Sequence, residues 1–167
     1  INISSVSTGQ IDMVESMSYA DAPGRAKRIV EHGDTIWAMV RPNLKSYALI
    51  IRPDRDWIAS TGFAVISPRK VSYTYIYYTT TTEVFTGYLI NHASGSAYPA
   101  VKTSDFKNAT IILPSSDILD SFHTIVKDMV SQSALLRHEN DKLREARDSL
   151  LPRLVSGEVD VSELDVR

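Results

Sequence analysis

Cysteine is absent from all 167 residues, which excludes disulfides, thiolate nucleophiles and every zinc site that needs sulfur. No run of 18 apolar residues occurs, so no membrane-spanning helix of ordinary length is expected. Glycine and proline number seven each, too few for a collagen-like chain or a Pro/Gly-rich disordered one. An excess of one charge is missing too, with 18 Lys+Arg against 20 Asp+Glu. What remains is 43% apolar and 23% charged, the composition of an ordinary globular protein large enough for one domain and an appendage.

Catalytic patterns are also missing. His32, His92, His123 and His138 have no metal-ligand spacing, and the text around Gly95 lacks the lysine and glycine spacing of a phosphate-binding loop. No nucleophile elbow occurs. His32 beside Asp34 could imitate an acid–base pair, but across Gly33 the two read as a polar turn. No active site, metal or cofactor is expected. The opening INISSVSTGQ lacks the basic start and apolar centre of a secretory signal, so a cytoplasmic location is the expectation. Because the chain starts at Ile1 without Met, it is expected to be a fragment.

Net charge hides an asymmetry. Residues 1–113 carry 11 basic and 9 acidic side chains, net +2, whereas residues 114–167 carry 7 and 11, net −4. The second part has apolar residues at every seventh position: Phe122, Met129, Leu136, Leu143 and Leu150. Ile125 and Ala146 supply intermediate positions, but Gln132 and Glu139 fall where a self-sufficient two-stranded coiled coil would place leucine. The seam therefore expects a particular partner. Pro114 with Ser115, Ser116 and Asp117 gives a helix start, and Pro152 followed by Gly157 gives a stop. The spacing predicts a helix over about 116–151, roughly 50 Å long at 1.5 Å per residue and projecting from the domain.

The first part reads as mixed α and β. Strands are expected at Thr35–Val40, Tyr47–Pro53, Gly62–Pro68 and Thr110–Leu113, where β-branched and aromatic residues run up to turns or prolines. Tyr73–Ile90 has strand propensity but helical spacing, and is expected to be helical with a break near Thr81. The text from His92 to Lys102 reads as a loop.

Basic and amide side chains cluster in two turns beside aromatic residues, namely Arg25, Lys27 and Arg28 in one and Arg41, Asn43 and Lys45 before Tyr47 in the other. Each is a solvated turn or a nucleic-acid contact. In the second case Lys and Arg hold phosphates, while Arg and Asn pair bidentately with guanine and adenine edges. Arg41 has a further reading, an ion pair with Asp34 that holds its turn.

Taken together, the segments GDTIWAMVRPNLKSYALI (33–50), ASTGFAVISP (59–68), ASGSAYPAVK (93–102), IILPSSDILDSF (111–122) and LREARDSLLPRLVSGEVDV (143–161) resemble the specificity subunit of type I restriction-modification enzymes. That resemblance implies an α+β chain with three parts. Residues 1–113 would be a target recognition domain with its start cut short, residues 114–156 the spacer helix that pairs in a coiled coil, and residues 157–167 a tail. It implies double-stranded DNA as ligand, and methyltransferase and restriction/translocase subunits as partners, with no chemistry of its own. DNA-facing candidates within it are Arg25, Lys27, Arg28, Arg41, Asn43, Lys45, Ser94, Ser96, Tyr98 and Lys102. Gly33, Asp34, Gly62 and Gly95 are as apt to shape the fold as to touch DNA. The helix-pairing candidates are Phe122, Ile125, Met129, Leu136, Leu143 and Leu150.

Complete members of that family carry two recognition domains and two helices. This sequence has one of each, so the second half is expected either elsewhere in the same chain or from a second copy. A coiled-coil adaptor that binds protein and not DNA stays open beside this reading, as does an enzyme with an unrecognised site.

Overall fold

The computed structural model describes residues 1–54 and 56–158. They fall into two compact units, Ile1–Lys127 and the residues from Asp128 onward. The tail expected at 157–167 lies outside the described residues beyond Glu158.

The first unit is built on a small antiparallel sheet in the order β5–β4–β7, formed by Tyr47–Leu49 (β5), Thr35–Ala38 (β4) and Phe63–Ile66 (β7). Two pairs of short antiparallel strands accompany it: Val6–Ser7 (β1) with Gln10–Ile11 (β2), and Ala26–Ile29 (β3) with Ile58–Ser60 (β6). The central strand is buried at all four positions, which explains why its sequence lacks a hydrophobic–polar alternation. Successive side chains of a strand point to opposite faces. Accordingly Ile36 and Ala38 join one apolar cluster with Val30, Ala48, Ile50, Ala59 and Phe63, while Trp37 joins another with Tyr47, Ala64, Phe85, Leu89 and Val101.

Helices cover the Trp37 face. Tyr73–Thr80 (α1) and Glu83–His92 (α2) are separated at the break expected near Thr81. The threonine run decides it: the Thr80 and Thr81 hydroxyls donate back to the Ile76 and Tyr77 carbonyls at 2.7 and 2.8 Å, and Thr82 Oγ1 caps the next helix by accepting from Phe85 N at 3.2 Å. Hydroxyls that compete for backbone partners end one helix and start another. Burial of aromatic and β-branched side chains along this tract thus outweighs its strand propensity.

Three expectations need correction. Thr110–Leu113 belongs to no strand. Ile111 packs into the Trp37 cluster and the Ile112 carbonyl accepts from the Tyr75 hydroxyl, so the segment lies along helices, which offer no ladder. The strand from Tyr47 ends at Leu49 instead of continuing to Pro53, because Arg52 takes a left-handed φ of 50° that extended pairing does not accommodate. The long helix runs past Pro152, from Ser116 to Val155 (α4). Pro152 sits in the last turn, where its missing N–H costs one bond while its carbonyl still accepts from Ser156 N at 2.9 Å. Gly157, with φ 74°, makes the left-handed stop.

Thr103–Asn108 (α3) packs through Phe106 onto Phe85, with ring centroids 6.2 Å apart. The first turns of α4 belong to the first unit. There Phe122 meets Tyr75 and Tyr78 edge-on, and His123 Nδ1 lies 3.0 Å from the buried Thr74 hydroxyl. From Asp128 to Val155 the second unit is helix with no buried residue. Its pairs Lys142–Glu139 and Arg144–Asp141 are exposed, a class that contributes little to stability.

Candidate nucleic-acid interface

The turn between β4 and β5 carries Arg41, Asn43 and Lys45. Pro42–Leu44 form one 3-10 turn, with Arg41 before it and Lys45 after it both in left-handed conformation, φ 52° and 53°. Non-glycine residues held there are strained, and such strain concentrates at functional sites. Asn43 and Arg41 are exposed, whereas Lys45 is half-buried with its Nζ 2.5 Å from Glu83 Oε1 at the start of α2. The hydrogen bond to Glu83 raises the Lys45 pKa above its ordinary value, with desolvation opposing.

A second loop is fastened to this turn. Ser94 and Ala100 exchange backbone hydrogen bonds at 2.9 Å each, closing the loop that carries Ser96 and Tyr98. Arg41 N donates to the Pro99 carbonyl at 2.7 Å, and Val101 N donates to the Met39 carbonyl at 2.9 Å. The Arg41 guanidinium lies over the Tyr98 ring, 4.4 Å from its centroid, and reaches the Ala97 carbonyl at 3.4 Å. Gly95 makes the loop possible, because its φ of 105° is a glycine conformation and an added Cβ would come within 3.2 Å of the Tyr98 carbonyl oxygen. Ser94, Ser96 and Tyr98 are all exposed.

Hydrogen bonds link the other basic cluster to the same end of the sheet. Met39 N donates to the Gly62 carbonyl and Thr61 N donates to the Arg25 carbonyl, at 2.9 and 2.8 Å. Arg25 and Lys27 are exposed, while Arg28 is half-buried with its Nε enclosed and without a partner among the described residues. Lys102 stands exposed ahead of α3, where its backbone N–H donates to Asp105 Oδ2 at 2.6 Å.

The pairing of Arg41 with Asp34 is overturned. Asp34 is buried at the far end of β4 and accepts from Glu31 N at 2.9 Å, while His32 Nδ1 accepts from Arg52 N at 3.2 Å. Both side chains serve the turn. Gly33 does as well, since its φ of 90° places it where an added Cβ would meet Tyr73 Cβ at 3.0 Å. Among the described residues no group of three His, Asp or Glu is placed to hold a metal ion. Nor is any helix long and apolar enough to cross a membrane.

Sequence reading missed Glu83, whose partner is 38 positions away, and the backbone groups of Met39 and Pro99 that join the two loops. No local pattern reports either. It also missed an open apolar groove of about 620 Å³, lined by Tyr75, Tyr78, Val84, Ile112, Ile118 and Phe122. Along α4, Ile125, Met129, Leu136, Leu143 and Leu150 are all exposed, at 45–67% of their full area. Phe122, the first of that series, is instead partly covered by α1.

Residues 5–145 match the model of the family described as the type I restriction modification DNA specificity domain. The chain belongs to the type I restriction-modification DNA specificity family. The match takes in both fastened loops and the long helix as far as Glu145. Among specificity subunits, the chain is 36% identical over 76 residues to the MjaIX subunit of Methanocaldococcus jannaschii, a stretch covering 46% of this chain and 18% of that one. It is 34% identical over 97 residues to the HindI specificity subunit of Haemophilus influenzae, covering 58% and 21%. The solved HsdS subunit from Thermoanaerobacter tengcongensis superposes with a TM-score of 0.64 at 25% identity, over 99% of this chain and 44% of that one. A structure described under complex assembly and conformational transition of the type I R-M system gives 0.67, also at 25% identity, over 100% and 44%. The chain thus spans about a fifth of the curated relatives it matches and less than half of the solved ones. The α+β fold with a long C-terminal helix is that of the specificity subunits.

Proposed function

We propose that this chain reads one half of a bipartite DNA target for a type I restriction-modification enzyme, and that it does so without catalysing a reaction. The observation that carries this reading is the fastening of the Arg41–Lys45 turn to the Ser94–Ala100 loop, in a chain of the DNA specificity family. The two loops, joined at Arg41, display Asn43, Ser94, Ser96 and Tyr98 together, while Arg25, Lys27 and Lys102 supply cations for phosphates at the same end of the sheet. Polar side chains that reach base edges specify sequence, and cations on phosphates fix register.

Residues 1–113 act in this reading as the recognition domain and residues 114–156 as the spacer. The exposed series from Ile125 to Leu150 pairs with the helix of a second specificity half, in the same chain or in another copy. Methyltransferase and restriction/translocase subunits assemble on the result, in the cytoplasm. The groove beside Tyr78 and Ile118, with the bare helix stripe, supports a second reading in which the chain is an adaptor that binds protein alone.

DNA titration across salt concentrations separates the two. A reader loses affinity steeply with salt, with a log–log slope near 0.9 per phosphate contacted on duplex DNA, and prefers one sequence class. An adaptor shows neither. Methylome mapping in cells with and without the gene then gives the target, and a split motif that persists without the gene removes the proposal.

A further inference from the structure

We infer that Arg41 is a positioning residue, a clamp that sets the conformation of the Ser94–Ala100 loop, and that it is not itself a reader of bases or phosphates. This deepens the DNA reading above and rests on it for its functional consequence.

The side chain of Arg41 is already engaged. Its guanidinium covers the Tyr98 ring at 4.4 Å and donates toward the Ala97 carbonyl at 3.4 Å. Its backbone N–H holds the Pro99 carbonyl at 2.7 Å. Three successive loop residues are thus gripped by one arginine, which is held in a left-handed conformation, φ 52°, that only a well-determined surrounding sustains. A planar cation suits the task, because guanidinium stacks on an aromatic face while keeping donors free at its edge, and an ammonium does not. The backbone bonds at Ser94, Pro99, Ala100 and Val101 hold the base of the loop, but without the Arg41 side chain its exposed tip would fluctuate, and ordering it on binding would weaken the complex. With the clamp in place, Ser94, Ser96 and Asn43 are presented in a fixed arrangement, and base reading falls to them.

The test uses the full chain with Arg41→Gly, which removes the side chain and relaxes the left-handed backbone, beside Arg41→Lys, which keeps the charge. In the free protein, amide hydrogen exchange at Ser94 and Ala100 should quicken roughly fivefold in both variants, as expected for loss of one exposed guanidinium–ring stack with its edge donor. Unchanged exchange in Arg41→Gly overturns the clamp whether or not the chain binds DNA. In DNA titrations both variants should bind about tenfold more weakly, the size of one modest contact, with the salt slope unchanged. Full binding by Arg41→Lys, or a slope lower by about one in Arg41→Gly, would make Arg41 a phosphate contact instead. If the parent chain binds no DNA, the functional reading fails while the exchange result still decides the clamp.

Discussion

Lys45 Nζ and Glu83 Oε1 stand 2.5 Å apart, joining the turn after β4 to the first residue of α2. The carboxylate is 81% exposed and the lysine 35%, so the pair sits at the surface. If Lys45 faces DNA as proposed, Glu83 competes with phosphate for this cation. The hydrogen bond raises the Lys45 pKa, and a cation with a raised folded-state pKa keeps its contribution below the unfolded value. It loses that contribution only as pH climbs through the folded one. The pair is thus constant across neutral pH.

Glu83→Gln should free Lys45 and remove a negative charge beside it. DNA affinity is expected to rise about two- to fivefold at low salt, and the salt slope to steepen by up to about one. Fluorescence anisotropy at several salt concentrations measures both. Unchanged affinity would take Lys45 off the DNA-facing surface.

Trp37 Nε1 donates to the Thr80 carbonyl at 3.0 Å inside the core, tying the central strand to the end of α1. Trp37→Phe keeps most of the apolar contact but leaves that carbonyl unsatisfied, which should cost about 1–3 kcal/mol. Urea unfolding monitored by circular dichroism reads the difference, and a change well below this range would mean that the carbonyl finds another donor.

Gly95→Ala places a Cβ against the Tyr98 carbonyl oxygen at a φ of 105°. The loop should be displaced while the sheet and helices stay intact. Because the loop is exposed, the expected stability loss is about 1–2 kcal/mol, with a larger proportional loss in DNA affinity. Thermal unfolding beside DNA titration separates the two effects, and equal affinity in the variant would show that the loop does not meet DNA.

Leu136 and Leu143 are 56% and 67% exposed on α4. Leu136→Glu combined with Leu143→Glu should abolish association with a second specificity half, because charges in an apolar seam lose solvation without gaining partners. Sedimentation equilibrium reports the change, and amide spectra of the first unit should be unaffected. Association that survives the double replacement would place the pairing surface elsewhere. Leucine at both Gln132 and Glu139 tests the same seam in the opposite sense, since a polar residue there fixes register at a cost in stability.

The sequence by itself determined the elements whose cause is local. A seven-residue apolar repeat makes the long helix, a threonine run divides α1 from α2, and short β-branched runs make β4 and β7. It also marked, as text, the two loops that the fold fastens together. Tertiary structure alone decided how those loops are used: that Arg41 turns to Tyr98 and Ala97 instead of to Asp34, that Lys45 answers Glu83, and that Thr110–Leu113 lies along helices with no strand beside it. The physical reason is the range of the interactions. Helix and strand propensities act over a few residues, whereas the Arg41–Ala97 and Lys45–Glu83 contacts join positions 56 and 38 apart, and only packing of the whole unit brings those together.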